Sequence, residues 1–95
     1  MSSDIISKAI LCTLPPSVEV EEFEDFIARK VEVYPLYDSG FLLQSDGVYR
    51  LGMLGKEEHV KEIIKGVSDK VGGWGGRVEE ELQEPRFSPA RRLGR

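Results

Sequence analysis

Residues 41–54 form the stretch that decides the fold, and they read FLLQSDGVYRLGML. The dipeptide Asp46-Gly47 stands between two apolar runs, and Asp-Gly is a preferred two-residue loop in a type I′ turn. The stretch therefore predicts a β-hairpin with its turn at that dipeptide. A two-residue loop predicts these cross-strand neighbours: Gln44 opposite Tyr49, and Leu42 opposite Leu51.

This register places apolar side chains on both faces of the hairpin. One face is predicted to carry Phe41, Leu43 and Val48, and the other carries Leu42, Leu51 and Met53. Two helices can cover only one face of a sheet, and an uncovered apolar face usually needs a partner. The predicted apolar interface consists of Phe41, Leu43, Val48 and Trp74. The alternative is that loops or the Trp74 segment cover this face within the same chain.

The segment after the hairpin has the clearest helical periodicity in the chain. Its apolar residues fall at spacings of three and four and are Val60, Ile63, Ile64, Val67 and Val71. This pattern predicts a helix over 56–71 with one face in the core, and Gly72-Gly73 favours its end. Gly66 lies inside the helix, where glycine costs about 1 kcal/mol relative to alanine, so we expect a strand to approach it closely.

The segment before the hairpin predicts a strand followed by a helix. Residues 5–14 contain apolar side chains at both odd and even positions, which is typical of a central strand buried on two sides. Pro15 and Pro16 end it, and Ser17 is the expected N-cap of a helix that reaches about Lys30. Whether residues 31–37 form a separate strand stays open. The last predicted strand covers 77–83 and suits an exposed edge because of its glutamates.

The order strand, helix, hairpin, helix, strand predicts an α+β fold. It is the order of the ferredoxin-like, or split βαβ, two-layer sandwich, with two helices on one face of a mostly antiparallel sheet. Right-handed crossovers place the first strand beside the third and the last strand at an edge. We expect residues 1–84 to form a single domain and residues 85–95 to form a basic, Arg-rich C-terminal extension.

Charge divides this chain into two parts. The first 85 residues hold all seventeen Asp and Glu but only nine Lys and Arg, whereas the last ten hold four Arg and no acid. An acidic body repels a phosphate backbone, so nucleic acid is expected only at the extension. The predicted partner-binding residues of the extension are Arg86, Phe87, Arg91, Arg92 and Arg95. The high share of charged residues, with no Asn and one Cys, is also typical of thermophile proteins.

No grouping of reactive side chains indicates catalysis. His59 is the only histidine and Cys12 the only cysteine, so the sequence provides neither a nucleophile–base pair nor enough ligands for a metal site. The glycine-rich segment 72–76 follows a helix rather than preceding one, and phosphate sites need the N-terminus of a helix. We therefore expect no cofactor and no metal, and the chain is more consistent with a binding protein than with an enzyme.

The expected location is the cytoplasm. The N-terminus lacks a positively charged region before a long apolar run, and no apolar run is long enough to span a membrane. The leading functional hypothesis is a non-catalytic protein-interaction or assembly module, self-associating through a sheet edge or face. The alternative is a nucleic-acid-associated accessory protein that contacts RNA or DNA through its Arg-rich extension.

Overall fold

The computed structural model describes residues 4–81, which form a four-stranded sheet covered on one face by two helices. The elements are β1 (Ile5–Thr13), α1 (Val20–Val33), β2 (Asp38–Ser45), β3 (Val48–Lys56), α2 (Glu57–Gly73) and β4 (Arg77–Glu80). The sheet order is β2-β3-β1-β4, and every neighbouring pair is antiparallel. The predicted α+β architecture is confirmed, with the first strand beside the third and the last strand at an edge. The predicted extension, residues 85–95, lies outside the described residues.

The core lies between the helices and one face of the sheet. Phe23 of α1 is fully buried, and β1 and β3 contribute Ile10, Cys12, Leu51 and Met53 from below. The helix α2 contributes four buried residues, which are four of the five whose spacing predicted its buried face: Val60, Ile63, Val67 and Val71. The fifth, Ile64, is half-buried beside them. The 3.6-residue period therefore predicted the inward side of α2 correctly, because only that side meets the sheet.

The prediction that β1 is buried on two sides is wrong. Both helices pack on the same face, so the other face of β1 is largely open, and Ile5 there is 51% exposed. Ala9 is the exception on this open face, with 2% exposure. Across β1, the side chains of Arg50 on β3 and Glu81 after β4 form an ion pair, with Nη2 of Arg50 2.8 Å from Oε1 of Glu81. Ala9 lies at this ion pair.

The hairpin turns at the predicted dipeptide but in a different conformation. Gly47 has a φ of 74°, whereas among residues 4–81 no residue other than glycine has a positive φ. A type I′ turn needs positive φ at both central residues, so that assignment is wrong. The register is also displaced by an irregularity between Leu43 and Ser45, and the observed pairs are Leu43 with Tyr49 and Phe41 with Leu51.

The displaced register moves side chains between the two faces of the sheet. Phe41 and Leu43 share the helix-covered face with Leu51, and Leu42 lies opposite Arg50 on the open face. The expected grouping of Leu42 with Leu51 is therefore wrong. The physical reason is the extra residue on β2: one additional residue in a strand reverses the facing of every side chain beyond it.

Boundaries of several elements differ from the sequence-based expectation, and α2 runs through Gly73 instead of ending before Gly72-Gly73. The first helix continues through Val33, so residues 31–37 contain no separate strand. Its N-cap is Glu19, without a side-chain cap hydrogen bond, rather than Ser17. The last strand ends at Glu80, which leaves an edge strand of only four residues.

Candidate protein-interaction surface

The two edges of the sheet differ in length and charge. The β4 edge is short, and ion pairs hold its side chains: Lys8 with Glu80 at 3.1 Å and Arg77 with Glu79 at 3.5 Å. Charged side chains and short length are two devices by which proteins prevent an edge strand from pairing with another chain. The β4 edge is therefore protected.

The β2 edge lacks these devices. This strand is eight residues long and contains no Lys, Arg or Pro, and its single charged residue is Asp38 at the first position. Leu42 and Leu43 are 58% and 64% exposed. A long edge strand with exposed leucines and unpaired backbone groups can accept another strand. The irregularity between Leu43 and Ser45 interrupts this edge only near the turn.

An apolar groove runs beside β2 on the helix-covered side. Its floor and walls come from Ile27, Ala28 and Val31 of α1 and Phe41 of β2, and its volume is about 380 Å³. Glu24 and Glu32 contribute carboxylates to its lining. The sequence did not predict this groove, because residues 31–33 were not assigned to α1 and the facing of Phe41 depended on the register.

The four predicted interface residues do not form one surface. Phe41 stacks on Tyr49, with ring centroids 5.3 Å apart, and Phe23 lies edge-on to Phe41 at 5.6 Å. Trp74 also contacts Phe23, at 6.1 Å. Phe41 and Trp74 thus pack around the same core ring.

The other two predicted residues lie on β2 and β3. Leu43 is exposed on the β2 edge. Val48 is half-buried beside the turn, opposite Ser45 and Thr13. Leu42 is the exposed edge residue that the predicted set omitted, because the predicted register paired it with Leu51. The predicted partner-binding residues Arg86, Phe87, Arg91, Arg92 and Arg95 lie outside the described residues.

The two residues with reactive side chains have structural environments. Cys12 is buried at the centre of the sheet, and its burial raises the pKa of the thiol to about 12, which keeps the thiol protonated and weakly nucleophilic. His59 places Nδ1 2.9 Å from the carbonyl oxygen of Pro35 and so links α2 to the loop after α1. Within residues 4–81 no three His, Cys, Asp or Glu side chains lie close enough to hold a metal ion. No helix in this range is long and apolar enough to cross a membrane.

Comparisons with known proteins give a fold relationship. No family model and no curated protein matches the chain. Among solved structures, it is similar to a C-terminal segment of the alpha subunit of aIF2 from Pyrococcus abyssi, with a TM-score of 0.64 and 17% identity over 88% of this chain and 52% of that one. The intact alpha subunit from the same organism matches with a TM-score of 0.60 and 16% identity, over 90% and 35% of the two chains. This chain thus spans about half of the solved segment, and the likeness shows a shared fold.

Proposed function

We propose that this chain is a non-catalytic assembly module that binds a second copy of itself through the β2 edge. The observation that carries the proposal is the contrast between the two edges: β4 is short and charged, whereas β2 is long and exposes Leu42 and Leu43. Features that oppose edge-to-edge pairing are present in the described residues at the β4 side of the sheet, whereas β2 lacks them.

Antiparallel pairing of two β2 strands joins the two sheets into one of eight strands. The two Asp38 carboxylates then lie at opposite ends of the new ladder, so no like charges face each other. Leu42 and Leu43 lie on opposite faces, and both lose contact with water at the joint. Burying the exposed part of each leucine contributes roughly 1 kcal/mol or more, on about 25 cal/mol per Å² of apolar area.

The other edge suits such pairing poorly. The strand β4 is only four residues long, and its two glutamates, Glu80 and Glu79, already form ion pairs with Lys8 and Arg77, so this edge offers a short ladder and charged side chains to another strand.

Sedimentation velocity of the full chain between about 1 and 200 µM tests the proposal. We expect a species of twice 10.7 kDa that dissociates on dilution. Leu42→Lys and Leu43→Lys should each raise the dissociation constant at least about tenfold, because a charged edge opposes pairing. The matched control is Leu54→Lys, on β3 rather than at the edge and 38% exposed, which should leave the dissociation constant within about twofold. A monomer at every concentration, or equal effects of all three substitutions, would refute pairing through β2.

A further inference from the structure

Two rows of residues meet where the two helices lie side by side. One row runs along α1 to the residue that caps its end, the other along α2 to its cap, each with four-residue spacing. Together they form what we call the helix seam: Phe26, Lys30 and Tyr34, then Gly66, Lys70 and Trp74. Residues four apart lie on the same side of a helix, so each row is continuous. The rows contact each other where Lys30 lies against Gly66 and Lys70 lies over the ring of Phe26.

Lysine ammonium groups and aromatic rings alternate in the helix seam. The Nζ atom of Lys30 lies 5.6 Å from the ring centroid of Phe26 and 5.9 Å from that of Tyr34. The Nζ atom of Lys70 lies 5.6 Å from the same Phe26 centroid and 5.4 Å from that of Trp74. Both ammonium groups therefore lie against one phenyl ring, at most about 11 Å from each other.

Gly66 makes room for the side chain of Lys30. A Cβ atom at Gly66 would lie 2.7 Å from Cε and 3.0 Å from Nζ of Lys30. The expectation that a strand approaches Gly66 is therefore wrong, because its close neighbour is a lysine of α1. Glycine within a helix costs about 1 kcal/mol relative to alanine, so α2 is weakened at the position where the lysine crosses it.

Within residues 4–81, neither lysine of the helix seam forms an ion pair with a carboxylate. Ion pairs among residues 4–81 involve Lys8, Arg50, Lys61 and Arg77, whereas no described carboxylate lies within 4.0 Å of Lys30 or Lys70. Phe26, Tyr34 and Trp74 are only half-buried. The seam therefore presents two positive charges and three accessible rings on a body that is otherwise acidic.

We propose that the helix seam binds a short acidic segment of a partner protein. Two carboxylates of the segment contact Lys30 and Lys70, and its apolar atoms pack on Phe26 and Trp74. In an extended segment, side chains two residues apart lie on one side and about 7 Å from each other, which is compatible with the separation of the two ammonium groups. This surface is separate from the β2 edge and does not depend on self-association.

Overall charge favours a short acidic segment over a nucleic acid. Residues 4–81 contain sixteen Asp and Glu against nine Lys and Arg. A long polyanion gains from two ammonium groups but is repelled by the surrounding carboxylates along the rest of its length. A segment with two or three carboxylates contacts the two lysines of the helix seam and is too short to reach many of the surrounding carboxylates.

Trp74 is the only tryptophan of the chain, so its fluorescence reports directly on the helix seam. The experiment titrates the full chain with an end-capped triglutamate peptide, which carries three carboxylates, at about 20 mM salt, where charge screening is weak. We expect a saturable change in Trp74 emission that weakens as salt is added. Lys30→Gln and Lys70→Gln should each lower the affinity at least about threefold. The control Lys65→Gln changes an exposed lysine of α2 outside the seam and should leave it unchanged.

A fourth variant separates binding from helix stability. Gly66→Ala should displace Lys30 and weaken triglutamate binding, while the thermal midpoint stays the same or rises because alanine favours a helix. Any of three results would overturn the proposal: no emission change on adding triglutamate, an equal loss of affinity in Lys65→Gln and Lys70→Gln, or tighter binding of a hexauridylate RNA than of triglutamate.

Discussion

Cys12 packs between β3 and β4 at the centre of the sheet, and its thiol has a pKa of about 12 in the folded protein against an ordinary value of 9.0. A raised acid pKa stabilises the fold below pH 9, and this contribution is lost as the pH rises toward 12, because the unfolded thiol ionises first. We expect the free energy of unfolding to fall by about 1.4 kcal/mol per pH unit in this window.

Cys12→Ala provides the comparison for this pH dependence. The variant lacks the thiol but keeps every other titrating group, so the stability difference between the two proteins should narrow by about 1 to 1.5 kcal/mol between pH 9 and pH 10. Urea denaturation at both pH values measures it. A difference that stays constant would mean that the thiol ionises equally well in the folded protein.

Gly47 has the only positive φ in the hairpin turn, at 74°. A β-branched residue cannot adopt this conformation without strain, so Gly47→Val should lower the free energy of unfolding by more than about 1 kcal/mol. The matched control is Asp46→Val, at the neighbouring turn position, where φ is negative. Equal midpoints of Gly47→Val and the unchanged chain in chemical denaturation would contradict this assignment of strain.

At the scale of the element, β2 carries neighbouring residues with opposite roles. Phe41 contacts Phe23 and Tyr49 beneath the helices, whereas Leu43 is 64% exposed at the edge. Phe41→Ala should therefore lower the free energy of unfolding by about 2 kcal/mol or more, and Leu43→Ala should change it by less than about 0.5 kcal/mol. Chemical denaturation of dilute samples, in which self-association is minimal, measures both. Equal effects would mean that Phe41 contributes no core packing.

At the scale of the whole molecule, the predicted extension is distinguished by its charge. A chain that ends at Glu84 loses all four Arg of residues 86–95 and keeps every acid. The sequence of residues 85–95 has only Phe87 and Leu93 as large apolar residues, too few for us to expect a contribution to the core. We expect the truncated chain to unfold at nearly the same thermal midpoint as the full chain, as measured by circular dichroism.

The same truncation tests the nucleic-acid alternative. If the Arg-rich extension contacts phosphates, its removal should weaken any RNA or DNA association and flatten the dependence of that association on salt. Nucleic-acid binding that survives truncation with the same salt slope would exclude the extension as the contact. Unfolding of the truncated chain would show instead that the extension contributes to the core.

Local patterns in the sequence determined the order of the elements. The spacing of Val60, Ile63, Val67 and Val71 identified the buried face of α2, and Asp46-Gly47 identified the turn, because both signals depend on residues close together in the chain. The same signals predicted two helices on one face of the sheet.

Only the tertiary structure decided how the faces and contacts were assigned. One extra residue on β2 moved Phe41 to the helix-covered face and Leu42 to the open face, and no local pattern specified it, because register depends on the partner strand. The sequence likewise predicted that a strand approaches Gly66, whereas in the structure the packing of the helices places Lys30 against it. The unprotected β2 edge and the helix seam exist only after residues far apart in the chain have met, and for that reason sequence periodicity alone identified neither surface.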